Sequence, residues 1–185
     1  MQGFMTFGRW LFAGAVFAAL AGCAGTVQRD SQSGAKRLEG ATYKSVDVVM
    51  TDAAKRLQAD NPQFSARELG NYVQRRLDAA SLVKPDGQHR VEVTVENFRV
   101  RNAFAAVMFG FMAGSDSIDG YVKVFDERNR QVHGYKVNAS YALGGFAGGQ
   151  DGMRMNWMYD KFADMAMAEL EKVVLPPRAG TPANA

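Results

Sequence analysis

One cysteine in 185 residues limits how this chain can hold itself together. Cys23 has no second thiol to pair with, so no intrachain disulfide is available and the fold must rest on packing. The cysteine also closes an uncharged run that starts at Trp10, "WLFAGAVFAALAGC". A helix needs about 20 apolar residues to cross a bilayer, and Trp10 to Gly22 supplies thirteen. Arg9 is the only charge before the run and small residues stand at its exit, so residues 1–22 have the parts of a cleavable export signal. What remains, residues 23–185, is enough for one core and short for two.

The exit of the leader is specific. Leu20-Ala21-Gly22-Cys23 resembles the lipobox of bacterial lipoproteins, in which the cysteine takes a diacylglycerol and becomes the first residue after cleavage. Small side chains at 21 and 22 let a peptidase close on the backbone, and the thiol is the nucleophile that accepts the lipid. The resemblance implies a covalent diacylglycerol and N-acyl lipid on Cys23 and no other cofactor. Ala24 and Gly25 stand where an aspartate would mark inner-membrane retention, so the implied destination is the periplasmic face of the outer membrane.

Residues 23–42 read as the lipidated cysteine and a flexible tether, because 24–42 are small and polar without apolar period. A coil of that length reaches roughly 25 Å. Residues 175–185, rich in proline and small side chains, read as a disordered tail. Loss of Arg9 with the leader leaves 21 basic and 19 acidic side chains, and the nearest thing to a basic run, Arg75-Arg76, reads as a solvated helix face. That balance argues against a nucleic-acid partner.

Residues 43–174 read as a single α+β domain. "YKSVDVVMT" is a strand, followed by Asp52 as a turn former. Ser65 and Glu68 have capping-box spacing and Phe64 and Leu69 staple spacing, opening a helix whose inner face is Leu69, Tyr72, Val73, Leu77 and Ala80. In "RVEVTVENFRVR" Val91, Val93 and Val95 share one parity and Phe98 and Val100 the other, which predicts a bulge at 96–98. "SIDGYVKVFD" and "QVHGYKVNASYAL" predict a hairpin, with Asn129 suited to the left-handed backbone of its turn. A last helix starts near Asp151, its N-cap candidate, and carries Met155, Met158, Tyr159, Phe162, Met165, Ala166, Leu170 and Val173 on one stripe. The order β-α-β-β-β-α predicts a two-layer sandwich: a four-stranded mixed or antiparallel sheet with two helices on one face.

The run from Arg99 to Gly152, with its apolar "GFMAG", alternating strand, Asp-containing hairpin and glycine-rich loop, resembles the domain-of-unknown-function 4410 family of bacterial lipoproteins. The resemblance covers residues 43–174 and implies a periplasmic, non-catalytic role with no assigned site residues. The residues agree on chemistry. His89, beside a turn and expected exposed, and His133, expected at the sheet edge, lack a Ser, Cys or metal-ligand partner at a recognisable spacing. Asp116, Asp119 and Asp126 sit where turns and strand ends favour aspartate. "GGFAGGQDG" lacks the Gly-Lys-Ser/Thr of a phosphate loop.

Two features remain. The methionines at 153, 155, 158, 165 and 167 could ligate Cu(I), although most coincide with the apolar stripe, where Met fills gaps. "NAFAAVMFGFMAGS", 102–115, is uncharged up to Asp116 although it links two strands. Its apolar members Val107, Met108, Phe109, Phe111 and Met112 are the candidate interface, for an envelope protein or a second copy, with a core-covering role and insertion into the membrane as the alternatives. The chain is therefore expected to be a lipid-anchored accessory lipoprotein, not an enzyme. The alternatives are a subunit of an oligomeric outer-membrane assembly or export pore, and a small-ligand or Cu(I) carrier.

Overall fold

Alternation decides which side of each strand is buried. Along β3 (His89–Arg99), Val91, Val93 and Val95 are fully buried while Glu92 and Thr94 between them are partly exposed. The same alternation runs through β4 (Asp116–Phe125) and, from Tyr135 onward, through β5 (Gln131–Tyr141). With β1 (Cys23–Arg29) and β2 (Tyr43–Met50) they form one sheet in the order β1-β5-β4-β3-β2, antiparallel throughout except for the parallel β2–β3 pair. Among the described residues the helices are α1 (Asp52–Gln58), α2 (Ala66–Ala79) and α3 (Asp151–Val174). This computed structural model describes residues 23–30, 38, 40–102, 108, 114–142 and 151–174, with residues 23, 24 and 151 described by backbone alone.

The α+β sandwich is as expected, with one strand and one helix more than the pattern showed. The predicted bulge is present, the β3–β4 register shifting between Val95 and Asn97, which returns Phe98 to the buried face. Asn129 has φ 57°, and the Asp126 carboxylate accepts from the backbone N–H of Arg128 and Arg130 to close the hairpin.

The extra helix follows from Thr51, whose hydroxyl caps α1 by accepting from the Ala54 N–H at 3.2 Å, so the segment after β2 is a helix and not the simple turn expected at Asp52. Asn61, in the connection from α1 to α2, ties α1 to the end of β3: its side chain donates to the Leu57 carbonyl and accepts from the Val100 N–H. At α2 the Ser65 hydroxyl accepts from the Glu68 N–H at 3.2 Å, as the capping box requires. The reciprocal half is absent, and the Ser65 N–H donates instead to the Tyr159 hydroxyl of α3 at 2.6 Å. Phe64 is buried against Phe98, the rings stacked with centroids 4.0 Å apart. Ser65→Ala should lower unfolding free energy by about 1 kcal/mol through loss of the cap; an unmoved urea midpoint would place the start of α2 elsewhere.

β1 corrects the tether. Residues 23–29, expected to be flexible, pair along their whole length with β5, from Cys23 opposite Tyr141 to Arg29 opposite Tyr135. The strand is stabilised by what lies above it. Met165 of α3 lies directly over Gly25, where a Cβ would meet its sulfur and require that side chain to move aside. Arg29 forms an ion pair with the buried Glu169 of α3, one bond being Nη2 to Oε2 at 3.1 Å. Burial pushes the Glu169 pKa up, but Arg29 and Lys172 outweigh it and hold the carboxyl below its ordinary range. The leader expected at residues 1–22, residues 31–37 and 39 of the expected tether, and the tail expected at 175–185 lie outside the described residues.

Candidate functional site

Strand register gathers several features at one end of the sheet. Cys23 starts β1 opposite Tyr141, the last residue of β5, and Tyr141 in turn faces Asp116, the first residue of β4. β3 ends at the same level, Arg99 opposite Ser117. The connection 103–113 therefore leaves and returns at this end, and so does 143–150, which joins β5 to α3.

The roots of both connections meet in a buried ion cluster. Asp116 is fully buried, with Arg101 and Arg154 on either side of it. Its Oδ1 accepts from the Arg101 backbone N–H at 2.7 Å, and its Oδ2 accepts from Arg101 Nη2 and Arg154 Nη1, each at 3.0 Å. Arg101 also donates to the carbonyls of Gly114 and Tyr141, and Arg154 to the carbonyl of Arg101. One carboxylate thus ties together the end of β3, the start of β4, the end of β5 and the first turn of α3. Trp157, one turn further along α3, packs on Tyr141 with ring centroids 4.9 Å apart.

Of the candidate interface, Met108 is described and is 62 % exposed. Val107, Phe109, Phe111 and Met112 lie outside the described residues, as do Leu20, Ala21 and Gly22 of the lipobox-like run. Cys23 is placed by its backbone at the edge of the sheet, at the same end as the roots of 103–113.

The other candidates fall into structural places. Met155, Met158 and Met167 are buried among the apolar side chains of the core, whereas Met153 is exposed. Among the described residues no three His, Cys, Asp or Glu side chains group as a metal site. His133 is buried in β5, just past the end of β1, and burial lowers its pKa. His89 is half-buried with its ring edge to that of Tyr43, and not exposed as expected, because β2 pairs with β3 at that position. The solvent face of the sheet holds a shallow groove of about 460 Å³ lined by Thr26, Gln28, Glu96, Asp119, Lys136 and Asn138. Its polar groups are paired with one another, Lys136 to Glu96 at 3.0 Å and Asn138 to Asp119, an arrangement suited to a solvated surface. Asp116 is the strand-end residue expected, and also the centre of the ion cluster. Its partners stand 15 and 38 positions away, beyond any local pattern.

The model of a family described as a domain of unknown function, DUF4410, matches residues 35–145. The chain belongs to this family. The match spans β2 to β5, including Arg101 and Asp116, and stops short of α3. In architecture the chain is similar to a leucine-to-methionine variant of the PelC dodecamer from Paraburkholderia phytofirmans, with 13 % identity, TM-score 0.46, and coverage of 80 % of this chain and 97 % of that one. It is also similar to the PelC dodecamer from the same organism in another crystal form, with 12 % identity, TM-score 0.44, and coverage of 75 % and 94 %. No curated protein matches the chain. Among the described residues no helix is long and apolar enough to cross a membrane.

Proposed function

We propose that this chain is a lipid-anchored accessory lipoprotein of the bacterial envelope, held by Cys23 on the periplasmic face of the outer membrane and binding another envelope component without chemistry of its own. The observation that carries the reading is Leu20-Ala21-Gly22-Cys23 at the end of a thirteen-residue uncharged run. The non-catalytic part is supported by the use of the buried titratable groups: Asp116, Arg101, Arg154 and Glu169 are engaged in ion pairs that join elements of the fold.

A second reading, a subunit of an oligomeric outer-membrane assembly, is favoured by the sheet edges. β1 and β2 are both edge strands, and Val27 and Val49 on them are 37 % and 42 % exposed. An edge strand offers backbone groups to a further strand.

Cys23→Ser should release the protein from the membrane fraction while its circular dichroism spectrum and melting temperature stay unchanged, since acylation requires the thiol. A variant that still sediments with outer membrane after a salt wash would overturn the anchoring.

A further inference from the structure

We infer that the end of the sheet where β1 starts, β3 ends, β4 starts and α3 starts is the face that lies against the phospholipid surface; this rests on the lipid anchoring proposed above. The strand register leaves little slack. β1 begins at Cys23 itself, opposite Tyr141, so acyl chains on that residue hold the row Cys23–Tyr141–Asp116 at the bilayer and do not suspend the domain roughly 25 Å away, as a coil of about 19 residues would.

The composition of this end agrees. Met108 is exposed, and Trp157, partly buried on Tyr141, is the kind of side chain that favours the headgroup boundary. The opposite end is different in kind. It carries the hairpin turn "DERNR", 126–130, and the turn "KPDGQ", 84–88, and β strands of 10 or 11 residues separate the two ends by roughly 33 Å.

Trp157 is the only tryptophan after residue 22 and serves as the probe. The lipidated protein would be reconstituted into phosphatidylethanolamine–phosphatidylglycerol vesicles with and without brominated acyl chains. Bromine should reduce Trp157 emission about two-fold or more, as for an interfacial indole. A second protein, Arg128→Trp with Trp157→Phe, should keep its emission. Should Trp157→Phe lower the melting temperature, Arg128→Trp alone replaces it, its added emission remaining unquenched.

An unquenched Trp157, or equal quenching of the indole introduced by Arg128→Trp, overturns the inference. So does a Trp157 shielded from aqueous acrylamide yet blind to brominated lipid, which would put a second copy or another protein on this end. Intact mass of the same preparation separates the two failures: no lipid on Cys23 removes the anchoring itself, whereas lipid present with Trp157 unquenched leaves the anchoring and removes only the orientation.

Discussion

Asp116→Ala should lower unfolding free energy by about 3–5 kcal/mol, the cost of breaking a buried ion pair from one side. Asp116 has no solvent-exposed surface, and both arginine side chains beside it are at most 2 % exposed. Truncation leaves two guanidinium groups in the interior without their shared carboxylate, together with an Arg101 N–H that has lost its 2.7 Å acceptor. Asp116→Asn should be nearly as damaging. It keeps the shape but sets an NH₂ group against donors, where Oδ2 now accepts from both arginines. Urea unfolding of the purified domain measures both, and a shift below about 1 kcal/mol for the alanine variant would mean that solvent relieves the cluster.

The second large effect is at the contact of α3 with the middle of the sheet. Phe162 is fully buried over Gly120 of β4, where a Cβ would come within 2.8 Å of the ring's Cζ. Glycine in mid-strand costs conformational entropy, and here it gives the ring its space. Phe162→Ala should cost about 3–5 kcal/mol through lost burial and the cavity left behind. Gly120→Ala alone should cost about 1–3 kcal/mol by overpacking. Combined, they should cost less than the sum by at least about 0.5 kcal/mol, because the new methyl group enters space the ring has vacated. A double-mutant cycle in denaturant measures the difference; strict additivity would mean that the two residues do not share a contact.

What was legible in the sequence was what local periodicity encodes. The change of parity between Val95 and Phe98 revealed the bulge, Ser65 with Phe64 and Leu69 revealed the start of α2, and Asn129 revealed the hairpin turn. What stayed hidden depends on residues far apart. "CAGTVQR" has no alternation strong enough to read as a strand, because β1 is an edge strand whose place is set by pairing with β5, by a glycine under Met165 and by an arginine reaching Glu169. α1 is seven residues long with Ala54 as its one fully buried side chain, too short for a periodic signal. The ion cluster joins positions 101, 116 and 154, each ordinary in its own neighbourhood. Cys23 stood out in the sequence at the end of an uncharged run, whereas its place at the end of the sheet emerged only from its pairing with Tyr141.

The central claim is that Cys23 is the first residue of the mature protein and carries its membrane anchor. Intact mass of the protein extracted from the membrane fraction of the cells that make it tests this most directly. The account predicts a chain that begins at Cys23 and exceeds the mass of residues 23–185 by a diacylglycerol and an N-acyl group. A chain that retains Met1, or one that begins at or near residue 23 with an unmodified thiol, would contradict it.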